Sequence, residues 1–443
     1  MNKGILISAM SSSQGKTLVS CMIAAGLTKR GVAIQGFKAG PDYIDPAYMS
    51  HYSNSSSRNL DLWLMGENWV KQEYATHTLE RYGLIEGVMG LFDGASSLNN
   101  EGSSYELAKT LNLPVILNIA CGTVARTMVI AIKGLITEAG EDVIKGIILN
   151  RVKSASYSNY LREAFSELNI PILGSIPNID YGDWSERHLG LQASQETDLA
   201  SIEQFADLAE KHIDLDGIMK ILKTCQPSVT LANKNPIDAK PQSKRIAIAK
   251  DAAFHFYYKA NLDWLEQEGA ELVEFSPLED KQLPESVDGI LLGGGFPEVF
   301  LKQLSENIEM KSAIKSFIES DHPCYAECGG LMYLIEHLID RNGRTHDMAG
   351  VIPGSITMTP SLQNFGYSSI SNINTEHSES YKGHEFHYSK WNEESQYANA
   401  WNVTKKRDGT QRKEGYTYKK LLASYVHLYF PQASEQIRRV FDL

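Results

Sequence analysis

Short apolar runs alternate with helical segments along the first half of the chain. "KGILISA" (3–9) is apolar and β-branched, and "TLVSCMIAAGLTKRG" (17–31) reads as a helix with Gly31 as its stop. "VAIQGFK" (32–38), "LIEGVMG" (84–90), "PVILNIA" (114–120), "IKGIILNRV" (144–152) and "IPILGSIP" (170–177) read as further buried strands, with helical stretches between several of them. That alternation predicts a parallel sheet covered by helices. "SNSSSRN" (53–59) reads as a loop.

The pattern breaks at residues 225–243, which carry three prolines and no apolar period, so a linker is predicted there. It then restarts. "RIAIAKD" (245–251), "AELVEFS" (270–276) and "VDGILLGGG" (287–295) read as strands, and "NLDWLEQEG" (261–269) as a helix. "CYAECGGLMYLIEHL" (324–338) reads as strand, sharp turn, helix. The predicted fold class is α/β in two domains, 1–224 and 244–443, each with a mainly parallel sheet flanked by helices.

Composition narrows the function classes. The 443 residues are enough for two or three domains with full cores. A net charge of −12 argues against a general nucleic-acid binder, though not against an anionic small molecule held in a local basic pocket. The five cysteines, at 21, 121, 225, 324 and 328, form no C-x-x-C pair and suggest no disulfide framework. A reducing cytoplasm is the expectation. No apolar run approaches the ~18 residues of a membrane span, and the apolar start is too short for a signal peptide.

Two stretches carry candidate chemistry. "SAMSSSQGKT" (8–17) ends like a phosphate-binding loop, but Met10 stands where the first glycine of G-x-x-x-x-G-K-[ST] belongs. Its place between an apolar strand and a helix still fits a nucleotide site, because backbone N–H groups at a helix N-terminus hold phosphate oxygens whatever the side chain. Ser12 and Gly15 lie in that cradle, Lys16 supplies charge to the phosphates, and Thr17 offers a hydroxyl to Mg²⁺. "KAGPDYIDP" (38–46) then brings Asp42 and Asp45, and "EGVMGLFDG" (86–94) brings Glu86 and Asp93. An acid inside an apolar strand, as Glu86 is, needs a partner. Asp42 and Glu86 follow or end strands at the carboxyl edge of the predicted sheet, where both could reach one metal ion. Taken singly, each acid also reads as a turn or cap residue.

The second stretch is "YAECGGLMYL" (325–334), with Cys328 between a strand and a helix. That is the setting of a nucleophile elbow, and a helix N-terminus favours thiolate. Gly329, with Gly294 or Gly295 of "LLGGGFPE" (291–298), could donate to an oxyanion. His427 of "ASYVHLYF" (423–430) is available as general base. The other four cysteines read as core residues. "GHEFHYS" (383–389) reads as a strand in which His384 and His387 lack H-E-x-x-H helical phase, so a substrate-facing or structural role is favoured over a metal.

"KAGPDYIDP", "NLDLW" (59–63), "EGVMGLFDG", "ILNRV" (148–152) and "SERHLGL" (185–191) occur in this order, and with them nearly the whole chain resembles the cobyrinate a,c-diamide synthase family. The resemblance implies a dethiobiotin-synthetase-like ATP domain followed by a class I glutamine amidotransferase domain. It implies that Asp42, Asp45, Glu86 and Asp93 belong to the ATP–Mg²⁺–substrate site and that Asn150 contacts adenine. It makes Arg187 and His188 candidates for the carboxylates of an anionic tetrapyrrole. The expected partners are cobyrinate, L-glutamine and ATP, with no nucleic acid and no membrane; a homodimer is compatible with it. Two departures stand out. The family usually has glycine where Ala9 and Ser13 stand, and many class I enzymes carry an acid two residues after the histidine, where Tyr429 stands. Three alternatives stay open: the same chemistry on hydrogenobyrinate or nickel-sirohydrochlorin, a carboxylase using CO₂, and a regulatory ATPase with an inactive amidotransferase-like module.

Overall fold

The computed structural model describes residues 3–122, 125–178, 201–225, 244–373 and 379–443. The chain divides into two compact units, residues 1–234 and 235–443. The predicted linker lies outside the described residues from 226 onward.

The first unit is built on seven strands: β1 (Gly4–Ala9), β2 (Ile34–Ala39), β3 (Arg58–Leu60), β4 (Tyr82–Glu86), β5 (Val115–Ala120), β6 (Ile144–Val152) and β7 (Ile172–Pro177). They lie in the order β3-β2-β4-β1-β5-β6-β7, and every neighbouring pair is parallel. Both faces are therefore covered, which is why these strands read as continuous apolar runs. Helix α1 (Lys16–Lys29) is buried almost all round. It packs on α2 (Asp45–Ser53) and on the helix Ile202–His212. Tyr52 of α2 stacks on Phe205 with ring centroids 4.3 Å apart. "LIEGVMG" is strand only to Glu86. The residues beyond turn back over the phosphate loop, with Gly87 N donating to Ile7 O at 2.8 Å and Leu91 N to Ala9 O at 2.8 Å.

The second unit has a six-stranded sheet in the order Ala270–Phe275, Lys244–Ala249, Gly289–Leu292, Cys324–Glu327, Leu421–Ser424, Tyr416–Tyr418. The first five are parallel, and the last is an antiparallel edge. The apolar pattern did not disclose two further sheets of four and five strands, largely antiparallel. The reading of 324–338 needs one correction. The helix after the turn is only Gly329–Leu334, and Ile335–Ile339 is a strand between Thr345–Asp347 and Ile352–Met358. "LIEHLI" satisfies either period, and pairing on both sides decides it.

Candidate active sites

In the first unit the loops after β1, β2 and β4 leave the same edge of the parallel sheet, where ligands of such sheets gather. The phosphate loop needs two left-handed residues, Ser13 at φ 60° and Gly15 at φ 81°. Gly15 has a second constraint, because a Cβ there would lie 2.7 Å from Asn150 Nδ2. Ser13 occupies its turn without being glycine, so the departure noted in the sequence is accommodated at some backbone cost.

Seven side chains from three separate stretches of the sequence converge beside this loop. Thr17 Oγ1 donates to Glu86 Oε1 at 2.7 Å. Lys38 Nζ lies 2.9 Å from the same Glu86 oxygen and 2.8 Å from Asp45 Oδ2. Asp42 Oδ1 accepts the N–H groups of Ile44 and Asp45 at 2.8 and 2.9 Å, opening α2. Lys16 Nζ reaches Met89 O at 2.6 Å. Asp93 accepts Gly90 N at 3.0 Å, closing its own turn at the exposed mouth. Asp45 is thus no solvated turn residue. It is buried in an ion pair.

Burial governs the electrostatics here. It lowers Lys16 to about 8, with Lys38 adding to the effect and Glu86, Asp45 and Asp93 opposing it. Burial and Asp45 push Glu86 up to about 7 and Asp42 up to about 6. Burial also acts against charge on Lys38, but Asp45 and Glu86 overcome it and hold the ammonium above its ordinary value. Glu86 Oε2 is buried with no hydrogen-bond partner. Among the described residues no three His, Cys, Asp or Glu side chains form a ready metal group.

Asn150 is buried, and its Nδ2 donates to Gln14 O at 3.2 Å, beside Asn118 Nδ2 at 2.8 Å from the same carbonyl. Its side chain is committed to holding the loop. Ser12 is exposed, and its carbonyl accepts from Ser11 Oγ at 3.2 Å. Arg187 and His188 lie outside the described residues.

In the second unit Cys328 sits between the strand Cys324–Glu327 and the helix Gly329–Leu334 with φ 47° and ψ −101°, a conformation that L residues rarely adopt. Its own N–H donates to Ser424 O at 2.7 Å, so an oxyanion would have to be met by other donors. Gly329 follows Cys328, and a Cβ on it would lie 3.0 Å from Gly295 N, which brings both glycines to one place. Gly295 has φ 157° and would meet Ala253 O at 2.0 Å if it carried a side chain. Gly294 approaches His427 so closely that a Cβ would lie 2.7 Å from its Cε1. Tyr257 fastens this turn, accepting Gly293 N at 2.8 Å.

His427 is buried in the short strand His427–Leu428. Burial alone would lower its pKa. Hydrogen bonds to Cys328 and Glu327 outweigh that and raise it to about 10. Glu327 Oε2 lies 3.3 Å from His427 Nδ1. His384 faces His427 across the strand pair, with ring centroids 5.2 Å apart, and burial and His427 keep it well below its ordinary value, hence neutral. His387 stacks on Tyr425, centroids 3.9 Å apart, and its Nδ1 lies 2.8 Å from Ser389 O.

Sequence reasoning missed two residues that the fold brings into these sites, Lys38 and Glu327. The argument applied to Glu86 could have found both. A charge inside an apolar strand needs a counter-charge from elsewhere.

Residues 5–191 match the family described as the CobQ/CobB/MinD/ParA nucleotide binding domain. Residues 245–435 match the CobB/CobQ-like glutamine amidotransferase domain. Curated relatives named cobyrinate a,c-diamide synthase match over nearly the full chain. The protein from Priestia megaterium is 35% identical, covering 98% of this chain and 96% of its own. That from Caldanaerobacter subterraneus is 38% identical, covering 100% and 98%. That from Clostridium acetobutylicum is 39% identical, covering 97% of each.

Proposed function

Since the chain belongs to the cobyrinate a,c-diamide synthase family, we propose that it amidates two side-chain carboxylates, a and c, of cobyrinate with ATP and glutamine. The observation that carries the glutaminase half of this reading is the strained elbow at Cys328, with His427 beside its thiol.

In the second unit the Cys328 thiolate attacks the side-chain amide carbon of glutamine. The N–H groups of Gly329 and of Gly294 or Gly295 receive the oxyanion. The His427 imidazolium gives its proton to the departing nitrogen, releasing ammonia and leaving a glutamyl thioester. Water, deprotonated by His427, cleaves that thioester to glutamate and free thiol.

In the first unit a substrate carboxylate takes the γ-phosphoryl group of ATP, giving an acyl phosphate and ADP. Ammonia then displaces phosphate to form the amide. Two polyanions must meet in the first step, so the site has to offset charge. Lys16 meets the phosphates together with the N–H groups of residues 12–16, the stretch that includes Ser12 and Gly15. Asn150 steadies that loop. Thr17, Glu86 and Asp42 would hold Mg²⁺; their hard oxygen donors, and the unpartnered Glu86 Oε2 above all, fit a divalent cation. Mg²⁺ bound there supplies neutralisation of phosphate charge. Lys38 and Asp45 lie next to these groups. Asp93, at the mouth, is placed to meet the incoming substrate.

The test incubates the protein with ATP and glutamine, or ATP and ammonium, and cobyrinate, hydrogenobyrinate or nickel-sirohydrochlorin, with products weighed by mass spectrometry. The expected result is a diamide of cobyrinate. Cys328→Ala should lose glutamine-driven synthesis and keep ammonium-driven synthesis, and Lys16→Ala should lose both. Amidation of another ring alone would overturn the substrate. Unchanged synthesis in Lys16→Ala would overturn the nucleotide site.

A further inference from the structure

Side chains of consecutive residues in an unbroken strand leave opposite faces of the sheet. Glu327 and Cys328 are consecutive, yet both reach one imidazole. The backbone at Cys328 resolves this. Its positive φ ends the strand and swings the thiol out of the alternation, so the thiol reaches the ring that the Glu327 carboxylate also reaches.

Glu327 is held as an orienting acid would have to be. It is buried. Its Oε1 accepts Tyr325 OH at 2.8 Å and Leu428 N at 2.9 Å, while Oε2 lies 3.3 Å from His427 Nδ1. The carboxylate therefore lies beside the imidazole and holds the backbone N–H of the next residue. With Nδ1 the ring nitrogen beside Glu327, an Nδ1–H turned toward the carboxylate would leave Nε2 to exchange a proton with Cys328. Two positions beyond the histidine, Tyr429 can offer no negative charge in this role.

We propose that Glu327 is the positioning acid of the glutaminase site, fixing the tautomer and direction of His427 and stabilising its imidazolium. The proton moves from Cys328 Sγ to His427 and from His427 to the leaving ammonia. Among the described residues, the titratable groups Glu327, Cys328 and the neutral His384 face the ring. Of these Glu327 is the one carboxyl group.

This inference rests on the glutaminase reading of Cys328, and the experiment separates the two. Glutamine hydrolysis is measured against pH in the full-length protein and in Cys328→Ala, Glu327→Gln and Glu327→Asp. Glu327→Gln should lower kcat/KM about a hundredfold or more, mainly through kcat, as losing an orienting carboxylate does elsewhere. The alkaline limb of its pH profile should move to lower pH, because the imidazolium is lost sooner. Glu327→Asp should recover part of both effects. Wild-type kcat/KM and an unmoved alkaline limb in Glu327→Gln, with Cys328→Ala inactive, would overturn the role of Glu327 and leave the glutaminase reading intact. Glutamine hydrolysis surviving in Cys328→Ala would overturn both. Should Glu327→Gln not fold, the Cys328→Ser protein with labelled histidine is titrated by NMR. With the thiolate gone, His427 should still titrate above its ordinary range. A titration at or below 6.5 would overturn the proposal.

Discussion

Glu414→Gln should change how the stability of the second unit depends on pH. Glu414 ends the strand Gln411–Glu414 and is fully buried. Its Oε2 accepts Ser424 Oγ at 2.6 Å and its Oε1 accepts Tyr425 N at 2.6 Å. Ser424 in turn offers its carbonyl to the N–H of Cys328 at 2.7 Å, so the acid braces the segment from which Cys328 hangs. Burial, helped by Glu385, pushes its pKa from the ordinary 4.5 up to about 8; Arg412, Ser424 and Tyr425 oppose this. The folded protein therefore binds this proton more tightly than the unfolded chain. The stabilisation is complete below the ordinary value of 4.5 and is lost as pH rises through about 8. A shift of this size corresponds to about 2–5 kcal/mol. Glutamine resembles the neutral acid in shape and does not ionise. The variant should therefore gain on the wild type as pH rises, by about 5–15 °C in thermal midpoint for a domain of this size. Both proteins are heated briefly at pH 5 and at pH 8.5, then assayed for glutamine hydrolysis at one common pH. An equal gap between their inactivation midpoints at the two pH values would refute the reasoning.

Two further outcomes concern the first unit. Ser13 holds a left-handed turn at φ 60°, so Ser13→Gly should keep nucleotide affinity while Ser13→Val, β-branched and strained there, should weaken it about tenfold; equal affinity of all three proteins in a nucleotide titration would show that the turn does not shape the cradle. Lys38→Met would leave Asp45 and Glu86 buried without their shared cation, and the first unit should lose about 3–5 kcal/mol, read as a lower unfolding midpoint; an unmoved midpoint would refute the ion pair's part in holding the site.

Much of the first unit was legible because its strands are buried on both faces. "IKGIILNRV" is β6 from end to end, and the phosphate loop could be located from the strand and helix on either side of it despite Met10. The second unit was less open. The strand Asn364–Asn372, "NFGYSSISN", alternates weakly and is rich in serine, so its place in an antiparallel sheet depends on its neighbours. The candidate acids were found because an ionisable group amid apolar residues stands out. Their partners were not, because a counter-charge is chosen by the fold. Lys38 meets Glu86 across 48 residues of chain. Glu327 meets His427 only because the strand Leu421–Ser424 lies beside Cys324–Glu327.

The elbow at Cys328 also bears on how many parts of the glutaminase site can drift apart. With Glu327 and Cys328 neighbours in one chain segment, covalent geometry fixes the spacing of their backbones. The histidine comes from a different segment, and it meets both through a single ring. Alignment of the three groups thus reduces to one mechanical coordinate, the placement of His427 relative to the tip of the strand Cys324–Glu327. Any motion that opens or closes this coordinate moves the ring relative to thiol and carboxylate together. A displacement of the histidine segment would part the ring from thiol and carboxylate at once, and would break the hydrogen bond from Leu428 N to Glu327.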